Sequence, residues 1–321
     1  MYRATIIGLG KIAWRFDENH PAPVALTHAA ALLGHDRVKL VGGASPDPVD
    51  RRAFEAELQV PGFASFEEML ETLQPHLVSI CSPTEYHYQQ TLYCLTREVP
   101  MIWLEKPPAA TPAEISRLAE VQAQHGWKTK VLVNYVRRYI PCYQNLGAIF
   151  RNNILGPCRQ IQVNSSRGLE LNGSHMLDVL FYIVGEEKKW QVDWVSRERE
   201  NPSFALTFED GLQAMVSGLS VPYHCHDITL VCDEGRAAVI HGGMTTCLET
   251  RVEHEWFPGF YRLKSSRRKY LCRGGLGPFM AEALKDLISS HEEGRQPRSN
   301  LHTAGSAQTL IAQVRRMQGQ G

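Results

Sequence analysis

The chain has 321 residues, 43% of them hydrophobic and 21% charged, the balance of a globular protein long enough for about two domains. Its 34 Lys plus Arg are matched by 34 Asp plus Glu, which leaves no net field to attract nucleic acid or an anionic membrane, so a small-molecule partner is expected. No apolar run reaches the roughly 18 residues of a membrane span, the chain starts on a strand pattern instead of a leader, and its eight cysteines form no Cys-x-x-Cys pair. A reduced, cytoplasmic protein is the expectation.

Ala4 to Ile7 is a short β-branched run that reads as a buried strand. It breaks at Gly8-Leu-Gly10-Lys-Ile-Ala13, the Gly-x-Gly-x-x-Ala pattern of a dinucleotide turn. Gly8 permits the tight turn, Gly10 lets the backbone approach a pyrophosphate, and Ala13 allows close helix packing. Gly8, Gly10, Lys11 and Ile12 are therefore candidate cofactor contacts. The helix expected next is interrupted: Trp14 to Thr27 is polar and proline-rich, and a helical pattern resumes only over His28 to Leu33. Val38 to Ala44 reads as the second strand. At its end, where a carboxylate would bind the adenosine ribose of NAD, stands Ser45, with Arg51 and Arg52 within reach of a 2′-phosphate or simply solvated on the next helix. NADP is thus favoured over NAD.

Helices to about Leu58 and over Phe66 to Leu73 precede a third strand, Leu77 to Cys81. The following Ser82-Pro83-Thr84 offers Ser82 or Thr84 as a helix cap and brings Ser82, Pro83 and His87 to the edge where ligands bind, although a first-turn histidine is also a common structural element. Pro100 to Leu104 is the fourth strand and delivers Glu105-Lys106-Pro107-Pro108. A charged pair at the end of a buried strand is costly to place without a purpose. A partly desolvated Lys106 suits proton transfer to or from a substrate oxygen, with Glu105 beside the cofactor. Thr111 caps a helix to about His125, and Lys130 to Val133 completes five strands with helical crossovers, a doubly wound sheet.

The glycine turn, Ser82-Pro83 with His87, and Glu105-Lys106-Pro107 at these separations resemble the glucose-fructose oxidoreductase, inositol dehydrogenase and rhizopine catabolism family, Gfo/Idh/MocA. The resemblance covers nearly the whole chain. It implies an α/β protein with an N-terminal Rossmann domain, residues 1–133, and a substrate-binding and oligomerisation domain, residues 134–321, built on a large, mostly antiparallel sheet. A C-terminal helix packing back on the first domain is also allowed for. The resemblance further implies that Lys106 is the catalytic lysine, with a cis bond before Pro107, and that the protein is a homodimer or homotetramer.

In the second half, Asn134-Tyr135-Val136-Arg137-Arg138 looks like the family's crossing into the substrate region, making Asn134, Tyr135 and Arg138 candidate substrate contacts. Helix-surface arginines are the plainer alternative for Arg137 and Arg138. Gly173-Ser174-His175-Met176-Leu177-Asp178 resembles the second catalytic motif, with His175 as acid/base and His175 and Asp178 toward substrate. The family's Asp four residues before the His is absent: position 171 is leucine, flanked by Glu170 and Asn172. Strands are expected at 157–167, 190–197, 204–208, 212–219, 227–232, 237–241 and 246–254, with turns at 209–211 and 233–235, and helices at 279–291 and 302–317. His224 and His226 share a strand face without a third ligand at a diagnostic spacing, so no metal is expected. The basic stretch 262–273 reads as a solvated loop or edge. Together these features lead to an NAD(P)-dependent dehydrogenase acting on a CH–OH group of a sugar, sugar derivative or cyclic polyol. The alternative is a non-catalytic NAD(P)-binding regulator or scaffold of the same fold.

Overall fold

In the computed structural model the described residues are 1–18, 24–265, 270–271 and 277–319. Part of the expected insertion (19–23) and half of the basic stretch (266–269 and 272–273) lie outside them. The chain forms two compact units, Met1–Val136 with Pro278–Gly305, and Arg137–Gly277 with Ser306–Gly321.

The first unit runs β1 (Tyr2–Ile7), α1 (His28–Leu33), β2 (Val38–Ala44), α2 (Pro48–Leu58), β3 (Gly62–Phe63), α3 (Phe66–Leu73), β4 (Leu77–Ile80), α4 (Thr84–Thr96), β5 (Met101–Leu104), α5 (Pro112–Gln124) and β6 (Lys130–Val133). The six strands pair in parallel in the order β3-β2-β1-β4-β5-β6. The sequence reading had five; β3 is a two-residue edge whose Gly62 and Phe63 are too short a run to register as a strand. Strands β4, β5 and β6 are buried on both faces, as parallel strands covered by helices must be. The helix starts follow local chemistry: Asp47 accepts from Val49 N ahead of Pro48, and Thr111 and Glu114 form a reciprocal capping box. One cap differs from expectation. Neither Ser82 nor Thr84 caps α4, whose N-cap is Pro83, because the Ser82 hydroxyl donates to Gln90 Oε1 at 2.6 Å instead.

The second unit holds α6 (Pro141–Arg151), β7 (Cys158–Ser166), α7 (Ser174–Val184), β8 (Trp190–Val195), β9 (Phe204–Phe208), β10 (Gln213–Leu219), β11 (His226–Cys232), β12 (Gly235–Ile240), β13 (Thr245–Glu253), β14 (Tyr261–Ser265) and β15 (Tyr270–Leu271). Its nine-stranded sheet has the order β14-β13-β12-β11-β7-β10-β9-β8, with β15 on β13. Every pairing is antiparallel except β10 with β7. The turn between β9 and β10 puts Gly211 at φ +83°, a conformation that favours glycine. Helix α7 is apolar nearly all round, and its Met176, Leu177, Leu180, Phe181 and Ile183 are buried where it packs on α6, β7 and β11.

The chain ends in α8 (Phe279–Glu293), which packs on α1, β5 and β6 of the first unit, and α9 (Leu301–Gly319), whose residues divide between the two units at Gly305. No helix among the described residues is long and apolar enough to cross a membrane.

Candidate active site

The strand order reverses between β1 and β4, and a cleft of about 950 Å³ opens there at the carboxyl ends of the strands, the place where open α/β sheets bind ligands. Residues following β1, β2 and β4 line it: Gly8, Gly10, Lys11 and Ile12, then Ser45, then Cys81, Ser82 and Pro83. Gly8 sits at φ +83°, and a Cβ there would lie 2.5 Å from Ser82 N, so only glycine lets the first turn pass the end of β4. A Cβ on Gly10 would point into open space. The turn thus leaves room for a ligand where a side chain would otherwise stand, and the residues present fit a dinucleotide pyrophosphate.

Past the turn the chain makes one π-helical turn, Lys11–Arg15, before it leaves the helix path. Ala13 is fully buried, and Trp14 Nε1 donates to Leu9 O at 3.0 Å. Asp17 then closes the insertion: its carboxylate accepts from Leu26 N, Thr27 N and Thr27 Oγ1 at 2.6–3.2 Å. Thr27 caps α1 by accepting from Ala30 N. The second helical segment therefore starts at His28, which is fully buried.

At the ribose end, Ser45 Oγ accepts from Asp47 N, and Arg51 Nη1 donates to the carbonyls of Ser45 and Pro46 at 2.6 and 2.9 Å. Asp47 is engaged as the α2 cap and Asp50 pairs with Arg15 at 2.8 Å. Arg51 lies behind the strand end and is not part of the cleft lining, nor are His87 and Glu105. His87 is a clamp, 1% exposed, with Nε2 2.8 Å from Ser82 O and Nδ1 2.7 Å from Pro107 O. The histidine ties the loop after β4 to the loop after β5.

The Glu105-Lys106-Pro107 segment leaves β5 at the same carboxyl edge, with the Lys106–Pro107 bond cis. Lys106 is half-buried. Glu105, expected at the cofactor, turns inward: its Oε1 accepts from His28 Nε2 at 3.0 Å and from Asn134 Nδ2, and its Oε2 accepts from the Lys106 backbone N–H at 3.3 Å. Trp103 Nε1 donates to Asn134 Oδ1 at 2.9 Å, which fixes the amide with its nitrogen toward Glu105. Burial pushes the Glu105 carboxyl up, but the hydrogen bond and electrostatic pull of His28, the Asn134 amide and the Lys106 charge outweigh it and hold the group below the usual carboxylate range. The same burial, with the Glu105 charge, raises the Cys81 thiol well above its ordinary value.

Several expected substrate contacts have other work. Asn134 belongs to this network and Tyr135 is fully buried in the core of the first unit. In the second unit Arg138, 1% exposed, forks onto Asp178, 0% exposed, through Nε and Nη2 at 2.8 Å, and donates from Nη1 to Glu186 at 2.6 Å. Burial opposes the Arg138 charge, and the two carboxylates hold it above its ordinary range all the same. A ligand does not reach side chains this deep, so Tyr135, Arg138 and Asp178 are packing and ion-pair residues. His175 is half-buried at the start of α7. Leu171 is 62% exposed on a π-helical turn, Glu170 pairs with Arg315, and Asn172 Nδ2 lies 3.3 Å from His224 Nδ1. Neither neighbour of Leu171 is left to stand in for the missing Asp. No group of three or more metal-ligating side chains is found among the described residues. Sequence reasoning missed His28, whose only signal was a histidine following a threonine cap on an otherwise apolar helix.

Residues 2–135 match the family model described as oxidoreductase family, NAD-binding Rossmann fold, of the Gfo/Idh/MocA group. Over that stretch the chain is similar to the NAD-binding Rossmann domain of this family. The chain is 30% identical over 212 residues to D-glucoside 3-dehydrogenase of Escherichia coli (strain K12), an alignment that covers 57% of this chain and about half, 54%, of that relative. An inositol dehydrogenase homolog from Azotobacter vinelandii, solved with NADH and myo-inositol, superposes at TM-score 0.79 with 16% identity, covering 100% of this chain and 96% of the other. UDP-N-acetylglucosamine 3-dehydrogenase from Acidithiobacillus ferrooxidans does so at 0.77 with 17% identity, covering 98% and 97%. At such identities these two structures show the shared fold alone: a parallel Rossmann-like sheet and a second, mostly antiparallel sheet.

Proposed function

We propose that this protein is an NAD(P)-dependent oxidoreductase that interconverts a secondary alcohol and a ketone on a sugar, sugar derivative or cyclic polyol. The observation that carries the reading is the emergence of Lys106 from β5 at the same sheet edge as a cleft shaped, at Gly8 and Gly10, for a dinucleotide. The named activities of the E. coli relative and of the two solved structures support the substrate class. A bound nicotinamide supplies or accepts the hydride. The backbone of the glycine turn holds the pyrophosphate, with Lys11 and Ile12 beside it and Ser82 and Pro83 on the opposite wall. Lys106 orients the reacting oxygen and gives or takes its proton. His175, at the start of α7, is taken as the second acid/base group.

The same reading takes NADP(H) before NAD(H). Ser45 presents no carboxylate to a 2′-phosphate, and the two aspartates that line the cleft beside it are engaged, Asp47 as the α2 cap and Asp50 with Arg15. The protein works in the cytoplasm, consistent with seven described cysteines that are all free thiols, as a homodimer or homotetramer. The rival reading, an NAD(P)-binding regulator without turnover, draws on the exposed Leu171 at the position of the family Asp.

Titration with NADPH and NADH, followed by a screen of sugars, sugar acids and polyols for absorbance change, separates the two. NADPH binding with turnover that is lost in Lys106→Ala supports the enzyme. Tight binding without turnover across the panel supports the regulator.

A further inference from the structure

His28 is the buried group that the proposed chemistry leaves unused. It is fully buried, its ring packs against Trp103 at a tilt of 43° with centroids 4.1 Å apart, and its buried Nδ1 has no hydrogen-bond partner among the described residues. Burying an imidazole with one nitrogen unsatisfied costs free energy, and its other nitrogen makes a single contact, the 3.0 Å bond to Glu105 Oε1, apart from a 3.5 Å approach by Asn134. Facing a carboxylate, Nε2 is the donor.

We propose that His28 is a positioning residue for Lys106, acting through Glu105. The imidazole and the Asn134 amide both donate to Oε1, so the carboxylate has one rotation available, and Oε2 is then directed at the backbone N–H of Lys106. The lysine thereby leaves β5 in one direction. The Asp17 clamp on Leu26 and Thr27 serves this arrangement by holding the Thr27 cap from which α1 starts, with His28 as its first residue. The charged and titratable groups that face Glu105 are His28, Lys106 and the Cys81 thiol.

The proposal rests on Lys106 being the proton-transfer group of the reading above. Its test has one readout that needs turnover and one that does not. His28→Phe keeps the ring against Trp103 and removes the donor; His28→Gln restores an amide donor at nearly the Nε2 position. The turnover readout is kcat with the sugar found in the screen, expected to fall about 10²-fold in His28→Phe with little change in KM for NADPH, as for a misplaced catalytic group, and to recover most of the loss in His28→Gln. In the double variant His28→Phe with Glu105→Gln, the loss should be no larger than in Glu105→Gln alone, since both act through one carboxylate. The second readout is the rate at which Lys106 is acetylated at one fixed pH, followed by peptide mass in the absence of substrate. It should change severalfold in His28→Phe, relative to surface lysines, and return in His28→Gln. A Lys106 labelling rate that is the same in all three proteins overturns the proposal, whether or not any sugar turns over. Equal losses of kcat in His28→Phe and His28→Gln, or additive losses with Glu105→Gln, overturn it as well. Absence of turnover in the wild-type protein counts against the oxidoreductase reading and leaves the labelling result to judge His28.

Discussion

Each unit buries a carboxylate, and the two are held in different ways. In the second unit Asp178 faces a guanidinium that grips both of its oxygens, and Glu186 takes the remaining arm of Arg138, so one buried cation holds two carboxylates, Asp178 at 0% exposure and the partly exposed Glu186. In the first unit Glu105 is held by an imidazole, an amide and a backbone N–H that come from three separate segments, while the cation beside it in sequence, Lys106, stays half-buried. The first arrangement is closed and joins α7 to the segment before α6. The second is open on one side, because the charge that complements Glu105 sits on the residue assigned to chemistry. A buried carboxylate is thus informative mainly through its partners: saturated by arginine it marks a structural joint, and steadied by directional donors beside a lysine it marks a site.

The sharpest break of this contrast removes the two cations. Lys106→Ala is expected to lower kcat by about 10³-fold, within the range for loss of a general acid/base group, with the melting temperature nearly unchanged and NADPH binding retained. Arg138→Leu is expected to do the reverse, costing about 3–5 kcal/mol of stability by leaving Asp178 buried and uncompensated, measured by urea unfolding. A protein in which Lys106→Ala melts early while Arg138→Leu is stable but inactive would invert the assignment of the two clusters. Ser45→Asp tests the cleft itself: it should weaken NADPH and favour NADH by placing a carboxylate where a 2′-phosphate would lie, with the ratio of the two dissociation constants as the measure.

Much of the first unit was legible in the sequence because its signals are local. The strand that breaks at Gly8, the capped helix after Thr111 and the charged pair after Leu104 each occupy a few consecutive residues, and the structure has β1, α5 and β5 at those places. The interruption after Ala13 was legible too, since the polar, proline-rich run between 14 and 27 does not suit a continuous helix. What was not legible depends on pairs far apart in the chain. Nothing local connects His28 with Glu105, 77 residues on, or Arg138 with Asp178, 40 residues on. An arginine pair in a polar-looking segment reads as a ligand contact until the fold shows which one is buried against an aspartate. The β3 edge and the Pro83 cap of α4 were missed for a related reason: a two-residue strand exists only through its neighbour, and Ser82 prefers Gln90 to the helix terminus.

The smallest expected effect is the most discriminating. Replacing both members of a buried ion pair by apolar residues of similar volume removes the desolvation cost along with the attraction. Arg138→Met combined with Asp178→Leu should therefore lie within about 2 kcal/mol of the wild-type stability, well short of the single Arg138→Leu. Glu186 then loses its partner, but its side chain is 22% exposed and can turn to water, so it adds little. The matching pair of changes in the first unit, His28→Phe with Glu105→Met, removes a buried carboxylate and its imidazole donor and should also melt within about 2 kcal/mol of the wild type. Its kcat should nevertheless fall, because the backbone N–H of Lys106 no longer has Oε2 to hold it. If stability and turnover recover together in the first unit as stability does in the second, the two clusters serve the same structural purpose and the open arrangement around Glu105 carries no catalytic meaning.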